Sequence, residues 1–144
     1  MAFPFDFAAQ NELGRIALAV EAKALTGTSD RWARELRDMI ATRSSVLESS
    51  AFLLVTPDRL YVWPAGASND TAPTTVDAGA VLGSYLSRAG VRGDRRIDPR
   101  VFEDIVGWWL QDLATGVAEP SHGAEIEPIA KAVRGTRVIA ERAA

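Results

Sequence analysis

The fold is decided by the opening stretch of the chain, Phe3-Pro4-Phe5-Asp6-Phe7-Ala8, Asn11-Glu12-Leu13-Gly14 and Ile16-Ala17-Leu18-Ala19-Val20-Glu21-Ala22-Lys23. The first segment alternates. Phe3, Phe5 and Phe7 fall on one face of a strand and Asp6 on the other. The second segment supplies turn residues. The third alternates again, with Ile16, Leu18 and Val20 on one face and Ala17, Ala19, Glu21 and Lys23 on the other. The two strands therefore make a hairpin. A turn centred between residues 12 and 14 sets Asp6 across from residues 19–21. With the apolar faces packed on the core, Asp6, Glu21 and Lys23 emerge on the same side.

Working outward, Thr26-Gly27-Thr28-Ser29-Asp30 opens a helix, with Thr28 or Ser29 as N-cap. Trp32, Leu36, Met39 and Ile40 form its apolar stripe. Asp30, Arg31, Arg34, Glu35, Arg37 and Asp38 form its charged face. Ala51-Phe52-Leu53-Leu54-Val55 reads as a buried strand and Leu60-Tyr61-Val62-Trp63 as its hairpin partner. Residues 64–75 read as a surface loop. A helix runs from about Asp77 to Ala89, followed by an Arg-rich loop over residues 88–100. The next helix has consistent start signals: Asp98 as N-cap, Pro99 at the first helical position, and Ile97 stapled onto Phe102. Phe102, Ile105, Val106, Trp109, Leu110 and Leu113 form its buried stripe, and Gly116 stops it. Residues 128–142 read either as a helix or as a helix broken at Gly135, with Arg137-Val138-Ile139 as a strand.

Composition bounds the chemistry. The chain has 144 residues, with no cysteine and one histidine, which excludes thiolate and multi-histidine metal sites within one chain. The net charge of −3 provides no global field for nucleic acid, so phosphate contact needs a local patch or a bound cation. Fourteen of the sixteen basic residues are Arg, and the lysines are Lys23 and Lys131. Residues 1–10 lack the basic and apolar regions of a signal peptide, and no apolar run is long enough for a membrane span, so a cytoplasmic location is expected.

Two carboxylates and an ammonium on one sheet face have a specific use. Carboxylate oxygens suit Mg²⁺ or Mn²⁺. A compact ammonium can orient a water or stabilise a phosphoryl oxygen, where a planar guanidinium fits less well. A solvated, decorative sheet face is the alternative.

The sequence Pro4-Phe5-Asp6 followed by Glu21-Ala22-Lys23 resembles the PD-(D/E)XK nuclease superfamily over roughly the first 63 residues. The resemblance implies an α/β fold: a mixed β-sheet flanked by helices, restriction-endonuclease-like, lacking the usual N-terminal helix and first strand. It implies one domain over residues 1–144, with a nuclease-like core (1–63), a helical part (76–116) and a C-terminal segment (117–144). Asp6 and Glu21 would be metal ligands for Mg²⁺ or Mn²⁺ and Lys23 the catalytic lysine. The implied activity is hydrolysis of DNA phosphodiester bonds, in defence or repair. The alternative is a catalytically inactive nuclease-like binding or assembly module.

The absent first strand implies an open sheet edge, covered by later segments, by a second copy in a homodimer, or by a partner chain. Thr28 sits ahead of a helix and, with Arg92, Arg95 and Arg96, is a candidate for contacting substrate phosphates. Trp32 and Trp109 are assigned to the core. Trp63 and Trp108 are either packed or exposed for stacking on bases. His122 has no partner pattern for a triad.

Overall fold

Alternating apolar residues dominate the strands, and the computed structural model, which describes residues 5–91, 96–117 and 125–141, gathers them into one mixed sheet. The strands are β1 (Phe7–Gln10), β2 (Ile16–Ala22), β3 (Ala51–Val55), β4 (Arg59–Trp63), β5 (Thr74–Asp77) and β6 (Arg137–Ala140). The helices are α1 (Asp30–Arg43), α2 (Ala78–Arg88), α3 (Pro99–Thr115) and α4 (Glu127–Val133), with a 3-10 turn at Ser45–Glu48. The sheet order is β5-β4-β3-β2-β1-β6. Among the described strands only β2 and β3 run parallel, and α1 lies in the connection between them. The protein is thus α/β, with a six-stranded mixed sheet and four helices among the described residues.

The sheet is buried on both faces. Leu18, Val20, Leu53, Leu60 and Val62 pack with α2, α3 and α4 on one face. Ala8, Ala19, Phe52, Leu54, Tyr61 and Trp63 pack under α1 on the other. Central strands covered on both sides read as continuous apolar runs, as residues 52–55 do.

The helix signals act as their chemistry dictates. Ser29 caps α1, its hydroxyl accepting from the Trp32 N–H at 3.2 Å. The Asp98 carboxylate accepts from the N–H groups of Arg100 and Val101, and Pro99 opens α3. Gly116 closes α3 at φ +77°, in the left-handed region that favours glycine. The whole α3 stripe from Phe102 to Leu113 is buried.

Several details depart from the sequence reading. In the β1–β2 hairpin, Ala9 faces Leu18 but Gln10 faces Ile16. Ala17 is therefore the extra residue of a bulge, and Ile16 turns to the α1 face, away from Leu18 and Val20. Phe5 packs on that same α1 face, not with Phe7, because the chain bends before β1 starts. On α1, Met39 is exposed and Arg37 is buried. The Arg37 guanidinium donates to the Ala67 carbonyl at 3.0 Å and lies 5.6 Å from the Trp63 ring centre. Apolar stem and aromatic neighbour let this arginine do what a hydrophobe would do there. Trp63 is core, with its Nε1–H donating to the Thr71 carbonyl at 3.0 Å.

Residues 74–77, at the junction of the stretch read as loop (64–75) and the helix read from about Asp77, form β5 on the edge of the sheet, and α2 starts after them at Ala78. Arg137-Val138-Ile139 is strand, and β6 pairs antiparallel with β1. A later segment of the same chain therefore covers the edge that the sequence reading leaves open. No second copy is required at that position. Among the described residues no helix is long and apolar enough to cross a membrane.

Candidate functional site

The hairpin register does most of the assembly. Phe7 faces Val20, so the next pair outward is Asp6 and Glu21. Cross-strand neighbours on one face stand about 5 Å apart at Cβ. Glu21 in turn faces Leu54, Leu54 faces Tyr61, and Tyr61 faces Thr75. One row thus crosses the sheet on its α1 face, and the two carboxylates occupy neighbouring places in it. Lys23 continues β2 in the same sense, its N–H donating to the Val55 carbonyl at 2.9 Å.

The two carboxylates are interlocked with the backbone. The Asp6 N–H donates to Glu21 Oε1 at 3.1 Å, and the Ala22 N–H donates to Asp6 Oδ2 at 2.8 Å. Lys23 Nζ stands 3.8 Å from Glu21 Oε2. Glu21 is 7% exposed, so it does not belong to a solvated sheet face. Lys23 keeps 41% of its side chain in solvent and opens the cluster outward.

Burial pushes the Glu21 carboxyl up from 4.5 to about 8. The hydrogen bond and the negative charge of the Asp6 side chain push the same way, while the Lys23 ammonium and the Asp6 N–H oppose them. Glu21 consequently holds its proton at neutral pH. A carboxyl kept neutral by burial and by a like-charged neighbour would ionise if a cation arrived beside it. The donor set, two carboxylates with hard oxygens, therefore fits Mg²⁺ or Mn²⁺ in kind. In number it is sparse: among the described residues no three His, Cys, Asp or Glu side chains gather into a group that could hold a metal.

The other candidates lie elsewhere. Thr28 Oγ1 and Tyr61 Oη are 2.7 Å apart, and the Thr28 carbonyl accepts from Arg59. Tyr61 is two strands from Glu21 in the row, roughly 10 Å at the usual strand spacing. Thr28 thus closes the loop before α1 onto β4 and does not join the carboxylates. Arg96 is exposed, in the connection from α2 to α3, and those helices cover the opposite face of the sheet. Arg92, Arg95 and His122 lie outside the described residues. Trp32 is half-buried against Tyr61, with ring centres 6.3 Å apart, and Trp109 is core. Trp108 is exposed beside a cavity of about 270 Å³ lined by Tyr85, Arg88, Gln111 and Asp112.

Sequence reasoning missed one neighbour of the site. The Glu141 N–H, just past β6, donates to the Asp6 carbonyl at 2.9 Å. The signal would have been the pairing of the first strand with the last, which local pattern does not encode. Comparison with family models, curated proteins and solved structures finds no match to this chain.

Proposed function

We propose that the chain is a metal-dependent, restriction-endonuclease-like hydrolase of DNA phosphodiester bonds. The observation that carries this reading is a buried carboxyl, Glu21, beside a second carboxylate and 3.8 Å from one of only two lysines. Asp6 and Glu21 would hold Mg²⁺ or Mn²⁺, and Lys23, at the open side of the pair, would orient the attacking water or steady the charged phosphate. When bound, the cation would polarise a phosphoryl oxygen and make a bound water more acidic. Glu21 would first give up its proton, and the Lys23 ammonium already favours that ionisation.

A second reading, a nuclease-like binding module without catalysis, is favoured by the way both carboxylates already accept backbone N–H bonds. Supercoiled plasmid, linear duplex and single-stranded DNA incubated with Mg²⁺, Mn²⁺ or EDTA separate the two. Metal-dependent cutting that disappears in both Glu21→Ala and Lys23→Ala supports the hydrolase. Mn²⁺ binding without cutting by wild type supports the module. Cutting that survives in both variants overturns the assignment of the site.

A further inference from the structure

Asp6 is held from two sides. Toward β2, its N–H donates to the Glu21 carboxyl at 3.1 Å and its own carboxylate accepts from the Ala22 N–H at 2.8 Å. Toward β6, its carbonyl accepts from the Glu141 N–H at 2.9 Å. Asp6 precedes β1 at a bend, where no strand ladder of its own fixes the backbone. These bonds are what place it. The first is to the Glu21 carboxyl, which would share the metal with it, and the second comes from the main chain of the next residue, Ala22. The third comes from far along the chain and is independent of the carboxylates.

We infer that the β6 segment is part of the site: Glu141 is a positioning residue that sets Asp6 through its main-chain N–H. The inference rests on the reading of Asp6 and Glu21 as metal ligands and adds to it the element that orients Asp6. Ladder geometry supports a main-chain role. Phe7 faces Ala140, so Glu141 is the next residue opposite Asp6, and its N–H extends the β1–β6 pairing past the end of the strand. Alternation in an antiparallel ladder turns the Ala140 N–H away from β1, toward the open edge of the sheet. Proline is tolerated at such outward edge positions and costs a ladder bond at inward ones.

The test is Mn²⁺ affinity of the full chain, measured by calorimetry at about pH 8 for Glu141→Pro, Glu141→Ala and Ala140→Pro, with Glu21→Gln as reference. Proline at 141 deletes the N–H that Asp6 uses, and one net hydrogen bond at a ligand corresponds to roughly three- to tenfold in affinity. Glu141→Pro is therefore expected to weaken Mn²⁺ binding by that factor, with Ala140→Pro staying within about twofold of wild type. Wild-type affinity in a folded Glu141→Pro protein overturns the inference. So does an equal loss in Glu141→Ala, which keeps the N–H and removes only the carboxylate. If Glu141→Pro does not fold, amide exchange in the wild-type protein decides: Mn²⁺ should slow exchange of the Glu141 N–H, because coupling between the two is reciprocal. An unchanged exchange rate overturns the inference. If Glu21→Gln leaves Mn²⁺ binding intact, it is the metal site that fails and not the role of β6.

Discussion

Replacing Glu21 by Gln should make the protein progressively more stable than wild type as pH rises from about 4.5 to about 8, and leave it unchanged below that window. The amide has nearly the shape of the protonated carboxyl. Its oxygen can accept from the Asp6 N–H as Oε1 now does, and its NH₂ can donate to the Asp6 carboxylate. What the substitution removes is the proton equilibrium. In the unfolded chain Glu21 loses its proton near 4.5, and in the folded protein near 8. Between those values the folded state binds more protons than the unfolded state, so stability falls as pH rises through the window. At about 1.4 kcal/mol per unit, the shift from 4.5 to about 8 corresponds to a loss of at most about 5 kcal/mol. That is a large share of the stability of an ordinary domain. Urea unfolding of wild type and Glu21→Gln from about pH 5 to pH 9 measures it. The two proteins differ at one position, so the difference curve reports Glu21 together with the Asp6 carboxylate coupled to it. It should start near zero, grow in favour of the variant, and flatten above about pH 8. Parallel curves, or a variant that loses ground as pH rises, would refute the reasoning that burial and Asp6 keep Glu21 protonated.

Four further outcomes follow from the same geometry. Mn²⁺ affinity should rise with pH by up to tenfold per unit as the bound proton is displaced, and level off near pH 8, which calorimetry at stepped pH reads directly. Lys23→Met removes the charge that favours ionised Glu21, so the levelling should move to higher pH, and any DNA cleavage should drop by about 10²- to 10⁴-fold while Mn²⁺ still binds. Arg37→Met should unfold in urea within about 1 kcal/mol of wild type, because it keeps the packing stem while removing a buried charge whose Nε has no hydrogen-bond partner; Arg37→Ala should cost about 2 kcal/mol or more. Gly116→Ala forces a side chain into φ +77° and should destabilise by about 1 kcal/mol in the same assay.

Local chemistry was legible wherever the structure answers to neighbours in sequence. Asp98, Pro99, Ile97 and Phe102 specify the start of α3, and Gly116 specifies its end. Alternation in residues 16–23 and a polar turn bring Asp6 opposite Glu21. What escaped depends on distant parts of the chain. Ala17 is an ordinary strand residue, and nothing near it announces the bulge that turns Ile16 over. Arg37 reads as part of a charged face until Trp63 at the end of β4 and Ala67 in the loop after it are brought against α1. Met39 reads as core by spacing, yet α1 buries Ala33, Arg37 and Ile40 instead, a stripe rotated toward the loop. Residues 74–77 carry turn-like Thr and Asp, and they become strand only because β4 offers an edge. The closure of β1 by β6 joins the two ends of the described chain, a pairing for which periodicity has no signal.

The interlock of Asp6 and Glu21 can be read as a clamp or as the proposed ion site, and the two make opposite demands. As a clamp, it needs acceptors for the Asp6 and Ala22 N–H groups, and neutral amides would serve. As an ion site, it needs charge that can be uncovered, which amides cannot supply. Two carboxyls in neighbouring places of a buried row are a costly way to build a clamp, since Asp6 opposes the ionisation of Glu21. The surrounding row shows what a structural solution looks like: Leu54 and Tyr61 occupy the equivalent places on β3 and β4. A double variant, Asp6→Asn with Glu21→Gln, keeps acceptors at both positions and deletes both charges. It should be at least as stable as wild type at pH 8 and should bind no Mn²⁺. A double amide that is clearly less stable would show that the charges themselves hold the hairpin together, and the case for a functional carboxylate pair would lose its energetic basis.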